Sequence, residues 1–462
     1  MSRRRPVVLP EDADVLEASG LLTAPDAKGF RRIHRSHLHR FGDQEFAASP
    51  LSPLSGLDSV YECIPDDLVS KATLEYLGYN EETATRLWRR WVHWFQDAHR
   101  RLEKHFEEDF FNHAMGFLLR ANHACSPFSV DPLAWDASFE HCGIGHELRS
   151  AIMDPCYEDL RLTNSCYFWL TDTMMVRMRA LQEIALASQQ RCMKRRRAAS
   201  RPQESILGSS VYDSAEQRVP RLSKHTAMSE DALVAASYER GYTTFFKAID
   251  QPILREMFDD TGKAITLAPI TSEKGRDFSP NDSTGIYFVL DRDVAERYAC
   301  FIKRRARLSV VAIMHARLRH SSILQLPEPD LAVAHWPSME WKTLVWHCRI
   351  KQRLPRNLDR FEKAALIVGN MGRQLPTFYF KPKDIEFMDH SSVFLNKDFV
   401  PAVQYGFIGP RGIEFFSDCA LEQVKAYRFL NAELQSMRFE TNPMKVRMSS
   451  TSTSTAFFRL LR

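Results

Sequence analysis

Several things are missing from this chain, and each absence narrows the reading. No apolar run approaches the roughly 20 residues of a membrane-crossing helix. Met1 is followed by Ser-Arg-Arg-Arg and then by acidic residues rather than by an apolar leader, so neither a spanning segment nor a secretory signal is expected. The nine cysteines (Cys63, Cys125, Cys142, Cys156, Cys166, Cys192, Cys300, Cys348 and Cys419) form no C-x-x-C pair and are odd in number. That pattern argues against a disulfide framework and for an intracellular protein with reduced thiols. There is no P-loop, no G-x-S-x-G and no H-E-x-x-H, which removes the common nucleotide, hydrolase and zinc-protease signatures. The formal net charge is only +4, so composition does not impose nucleic acid as a partner.

What is present divides the 462 residues into five segments. Residues 1–60 carry little periodicity beyond a short helix at Glu11–Leu22 and are expected to be irregular. Residues 61–197 read as a helical domain. A first helix is expected over Asp66–Tyr79. Asn80 then caps a long amphipathic helix through Leu87, Trp91, Phe95, Phe106 and Phe117, with a break near Gly116. Its arginines lie opposite the aromatics, the pattern of a helix that buries one face; aromatics interleaved with arginines would instead suit stacking on bases. A further helix, capped by Asn164 or Ser165, places Leu170, Met174, Met178, Leu181 and Ile184 on one face. His113, His123, Cys125, His141, Cys142 and His146 lie in the same block without the paired spacing of a zinc site. The block ends in Lys194-Arg195-Arg196-Arg197, which reads either as a nuclear localisation run or as cations set against a helix C-terminus. Residues 198–228 form a polar, basic linker, and residues 437–462 a disordered Ser/Thr-rich tail.

Residues 229–436 alternate short apolar runs with helical patterns. The expected order is a helix at Ser229–Arg240, a strand at Tyr242–Ile249, and the Gly285–Leu290 strand. The last feeds a helix capped by Asp291 and ending in Lys303-Arg304-Arg305. Strands at Leu308–Leu318 and Ser322–Leu326, a helix at Met339–Arg349, and strands at Ala364–Val368, Asp384–Met388, Tyr405–Ile408 and Ile413–Phe416 follow. Gly409-Pro410-Arg411-Gly412 is read as the turn of a hairpin, and a last helix is expected over Ala420–Leu434. The fold class is therefore α+β: an all-helical domain followed by a mixed β domain with flanking helices.

The order of motifs in the second half resembles the ADP-ribosyltransferase-like superfamily. Gly285-Ile286-Tyr287-Phe288 and Ala295-Glu296-Arg297-Tyr298-Ala299 match its strand-to-helix unit. Trp341 to Arg349, Leu366-Ile367-Val368-Gly369, and Glu414-Phe415 running to Ala420-Leu421 are similar to its later elements. The resemblance covers about residues 236–435 and implies an NAD-binding cleft. Within it, Tyr287 would stack on nicotinamide, Glu414 would be a strand carboxylate supporting an oxocarbenium-like transition state, and Lys247 stands on the first strand where the family has His or Arg. Lys does not reproduce the geometry of either. Three functions remain open: an NAD-dependent transferase, a catalytically inactive binding module with the helical domain as interaction surface, and a nuclear nucleic-acid-associated protein. The first requires Tyr287 and Glu414 to converge on one cleft.

Overall fold

A computed structural model describes residues 5–38, 61–95, 106–122, 131–199, 241–259, 263–272, 277–373, 385–386 and 388–429. Of the expected Asp384–Met388 strand, residues 384 and 387 lie outside the described residues, and Ile385, Glu386 and Met388 belong to no strand. The expected helix at Ser229–Arg240, most of the linker and the chain from residue 430 also lie outside the described residues. So does the stretch joining the two helices that follow Asn80.

The first half is mostly helical but not wholly so. Helix α1 (Pro10–Ala18) precedes strand β1 (Phe30–His34), which pairs antiparallel with β2 (Tyr61–Pro65). Helix α1 is thus the short helix expected at Glu11–Leu22, while residues expected to be irregular include a strand. Val7, Val8, Leu16 and Ile33 are buried in a small core shared with Leu181 and Ile184, so long-range packing rather than local periodicity orders them. Helix α2 (Lys71–Leu77) is shorter than expected. Ser70 caps it by accepting the Thr73 N–H at 3.1 Å. Asn80 caps α3 (Glu81–Phe95) through the Thr83 N–H at 2.8 Å. Helices α4 (Phe106–Asn122), α5 (Pro132–His141) and α6 (His146–Ile152) follow. Helix α7 (Cys166–Ala199) is 34 residues long, with Ser165 Oγ accepting the Phe168 N–H at 3.1 Å.

The second half is built on a seven-stranded sheet in the order β6-β7-β8-β4-β3-β5-β9. Its strands are β3 (Tyr242–Asp250), β4 (Gly285–Val289), β5 (Val311–Arg319), β6 (Leu331–Ala334), β7 (Leu366–Asn370), β8 (Val403–Ile408) and β9 (Lys425–Arg428). Among the described strands, only β6 and β7 run parallel. The longer helices of this half are α8 (Gln251–Met257), α9 (Arg292–Arg305), α10 (Met339–Arg349) and α11 (Gly409–Ala420). Ser338 caps α10 through the Trp341 N–H at 3.2 Å.

Four further expected elements are corrected. Ser322–Leu326 is not a strand, since His320–Leu324 forms a short helix. Gly409–Gly412 is not a hairpin turn, and Ile413–Phe416 is not a strand; both belong to α11, which Pro410 opens at a position where no N–H is needed. The β-prone run Ile-Glu-Phe-Phe is overridden by a spacing of four, which buries Gly412, Phe416 and Ala420 on one face. A Cβ at Gly412 would lie 2.7 Å from the Phe407 carbonyl carbon, so only glycine allows the helix so close to the sheet. The expected Ala420–Leu434 helix begins instead as one 3-10 turn and the edge strand β9.

Side chains alternate between the two faces of the sheet. Phe245, Ile249, Ile286, Phe288, Met314 and Phe407 point to the face covered by α11, where Phe288 and Phe416 stack at 4.9 Å. Phe246, Val311 and Ile313 point to the other face and share a core with α9 and the helical block. Phe301 of α9 lies between Tyr157 at 5.1 Å and Trp169 at 5.0 Å. Around this apolar contact runs a set of ion pairs between the two halves: Arg304 to Asp154 and Arg305 to Asp172, both at 2.8 Å, with Arg297 to Asp159 at 3.3 Å. Arg179 also reaches Asp250 at 2.8 Å, whose carboxyl burial nonetheless pushes up.

Candidate functional site

The candidate site lies where β3 and β4 part. Along its whole length β3 pairs with β5, from Tyr242↔Arg319 to Asp250↔Val311, yet it meets β4 in a single register, Phe246↔Val289. Past that point other groups take up the exposed carbonyls of β4. Lys247 Nζ donates to Tyr287 O at 3.1 Å. Ser272 donates to Gly285 O from its N–H at 2.8 Å and from Oγ at 2.7 Å. The split is thus filled from within the chain, as buried backbone groups require.

Lys247 and Tyr287 are brought together, but through a backbone carbonyl. The Tyr287 hydroxyl donates to Phe278 O at 2.9 Å and lies 2.9 Å from Ser279 Oγ. Its ring lies over Gly406, where a Cβ would come within 3.0 Å of Cε1. The half-buried ring packs with the cluster of Trp341, Trp346, Phe278 and Ile408. Glu414 is elsewhere. It is exposed on the outer side of α11, and α11 covers the face carrying Ile286 and Phe288, the opposite face from that of Tyr287. The strand position expected for Glu414 is therefore a helix position, and the two side chains do not converge.

Beside Tyr287 sits a buried polar network that the sequence reading did not single out as functional. Asp277 Oδ1 accepts Arg349 Nε at 2.5 Å, while Oδ2 accepts the Gly372 N–H at 2.6 Å and Gln404 Nε2 at 2.8 Å. Arg349 Nη2 donates in turn to Gly372 O at 2.8 Å. The three side chains are 6%, 7% and 7% exposed. Asp277 thereby joins the segment before β4 to the ends of α10 and β7 and to β8. The sequence signal for it was faint: Arg349 closes the Trp341–Arg349 motif, but Asp277 and Gln404 lie far away in the chain. Cys348, next to Arg349, is buried, and burial pushes its thiol well above its ordinary range, so it is not a thiolate nucleophile.

The basic run also has a place. Arg191 Nε donates to the buried carboxylate of Asp12 at 2.9 Å, Arg195 pairs with the same carboxylate, and Arg196 pairs with Glu11. Lys194 and Arg197 are exposed. The run thus continues α7 and fastens α1 to it. No helix among the described residues is long and apolar enough to cross a membrane. Comparison of the chain with protein-family models, with curated proteins and with solved structures found no match.

Proposed function

We propose that this chain is a non-catalytic binding or interaction protein whose second half has an ADP-ribosyltransferase-like architecture without the transferase chemistry. The observation that carries the reading is the separation of Tyr287 and Glu414 to opposite sides of one sheet. Transfer of ADP-ribose needs an aromatic and a carboxylate around the same ribose, because the carboxylate must face the charge that develops as nicotinamide leaves. An exposed helix residue behind the sheet cannot do this for a ligand lying on Tyr287. Occupation of the split by Lys247 and Ser272, and of the Tyr287 hydroxyl by Phe278 and Ser279, supports the same reading. Its setting is intracellular, and the helical block is the surface offered to a protein partner.

The test is calorimetry with NAD on the full chain, together with assay of nicotinamide release, in the parent, Tyr287→Ala and Glu414→Gln. The expected result is no heat and no release in any of the three. Heat that disappears in Tyr287→Ala, with turnover that disappears in Glu414→Gln, would overturn the reading and restore the enzyme.

A further inference from the structure

His315 lies on β5, on the face toward α9, and is only 2% exposed. Phe246 packs edge-on against its ring at 4.9 Å, and Tyr427 of β9 covers it at 4.6 Å. Among the described residues, neither ring nitrogen has a hydrogen-bond partner. A buried imidazole with two unbonded nitrogens is costly, since each unsatisfied polar group loses its hydration without replacement. The charges that bear on it are of one sign. Arg292 of α9 and Arg317 of β5 both act against its protonation, and Lys425 is its cross-strand neighbour on β9. Glu296, the nearby carboxylate on α9, is bound to Arg292 at 2.7 Å. Asp293 accepts the Lys397 N–H at 2.7 Å. From β3 the residue facing it is Phe246, which carries no charge.

What covers His315 is a short strand at the edge of the sheet. β9 spans four residues and is held to β5 by the pairings from Ala312↔Arg428 to His315↔Lys425. A short edge strand is among the elements that open most readily in a folded protein. Water and a proton reach His315 only when Tyr427 lifts.

We propose that β9 is an acid-released strap: it closes over a neutral His315 and opens when that imidazole takes a proton. The inference is independent of whether the second half binds NAD. In the closed state a charged His315 would sit among Arg292, Arg317 and Lys425 without an acceptor. In the open state it is hydrated, and its pKa returns to about 6.5. Linkage then multiplies the open population by about ten between pH 7.5 and pH 5.5. Opening uncovers the outer edge of β5.

The experiment is amide hydrogen exchange on the full chain at pH 7.5 and 5.5, corrected for the intrinsic rate, following the amides of residues 312–315 and 425–428. The parent should show about tenfold faster opening at the lower pH, and His315→Phe, which keeps a ring between Phe246 and Tyr427, should show less than a twofold change. Tyr427→Ala wets the imidazole without removing it and should open at both pH values with little difference between them. If His315→Phe does not fold, that comparison alone decides the matter. An unchanged parent, or an equal acid response in the parent and in whichever variants fold, would overturn the proposal.

Discussion

Arg305 offers the most direct probe of how the two halves are joined. It ends α9, is 2% exposed, and reaches across to the helical block. Its Nη1 donates to Asp172 Oδ2 at 2.8 Å and to Thr173 Oγ1 at 2.5 Å, and its guanidinium lies 4.7 Å from the Trp169 ring and 4.4 Å from Phe301. Its own carbonyl accepts Arg177 Nε at 2.8 Å. Arg305→Ala removes three contributions together. It leaves Asp172 without its buried partner, it ends two desolvated cation–π contacts worth up to about 2 kcal/mol each, and it leaves a void between Trp169 and Phe301. Breaking a buried pair by removing one partner costs about 3–5 kcal/mol. These contributions overlap, so the expected loss is about 4 kcal/mol, close to a thousandfold in the folding equilibrium. Urea unfolding followed by tryptophan fluorescence and by far-ultraviolet circular dichroism reads it. The two signals should move together, because Phe301 belongs to one core with the helical block and Arg305 is bound to Asp172 and Thr173 of it. The companion double variant Arg305→Met with Asp172→Leu replaces the pair by apolar groups and should recover most of the loss. A loss below about 1 kcal/mol for Arg305→Ala, or two separate transitions in the parent, would refute the view that α9 is common to both cores.

Two further outcomes follow from single residues. Burial alone would raise the Asp12 carboxyl, but the hydrogen bond and charge of Arg191, with hydrogen bonds from Ser188 and Arg195, outweigh it and hold the group below its ordinary range. Its contribution is therefore present above about pH 4 and is lost as pH falls through the lowered value. Asp12→Asn should cost about 3 kcal/mol or more at pH 7 in urea titrations, with the gap from the parent narrowing below pH 4; a gap that stays constant with pH would contradict the assignment. Gly143 has φ +63°, and a Cβ there would run into the Thr83 side chain. Gly143→Ala should cost about 1–2 kcal/mol from the backbone alone and more from the clash. Thr83→Ala in the same chain removes Oγ1 and Cγ2 but keeps Cβ, 2.7 Å from the added atom, so it should recover part of the clash and none of the backbone cost, as thermal melts of the three variants would show.

Local chemistry made much of the second half legible. The Gly285 strand, the helix that starts after Asp291, the Ser338-capped helix and the Leu366–Val368 strand stand where propensity and capping place them, although the Asp291 carboxylate accepts from Asn396 rather than from the helix N–H groups. Where local preference and tertiary geometry disagreed, the geometry prevailed. Ile413–Phe416 looks like a strand because three of its four residues are apolar, yet Gly412 lets the chain turn back closely onto Phe407 as a helix. β9 was hidden inside an apparent helix because the 3-10 turn before it shares the helical pattern.

By itself, then, the sequence determined the α+β class, most element positions, the caps at Asn80, Ser165 and Ser338, and the amphipathic faces, because each depends on neighbours within a few residues. Only the tertiary structure decided which of those faces meet. It put Glu414 behind the sheet from Tyr287, tied Lys247 to a backbone carbonyl, and gathered Asp277, Arg349 and Gln404 from three distant segments. It also buried His315 under a strand from the far end of the sheet. Strand order and sheet face are long-range properties, and period-two alternation says that a side chain faces one side without saying what waits there.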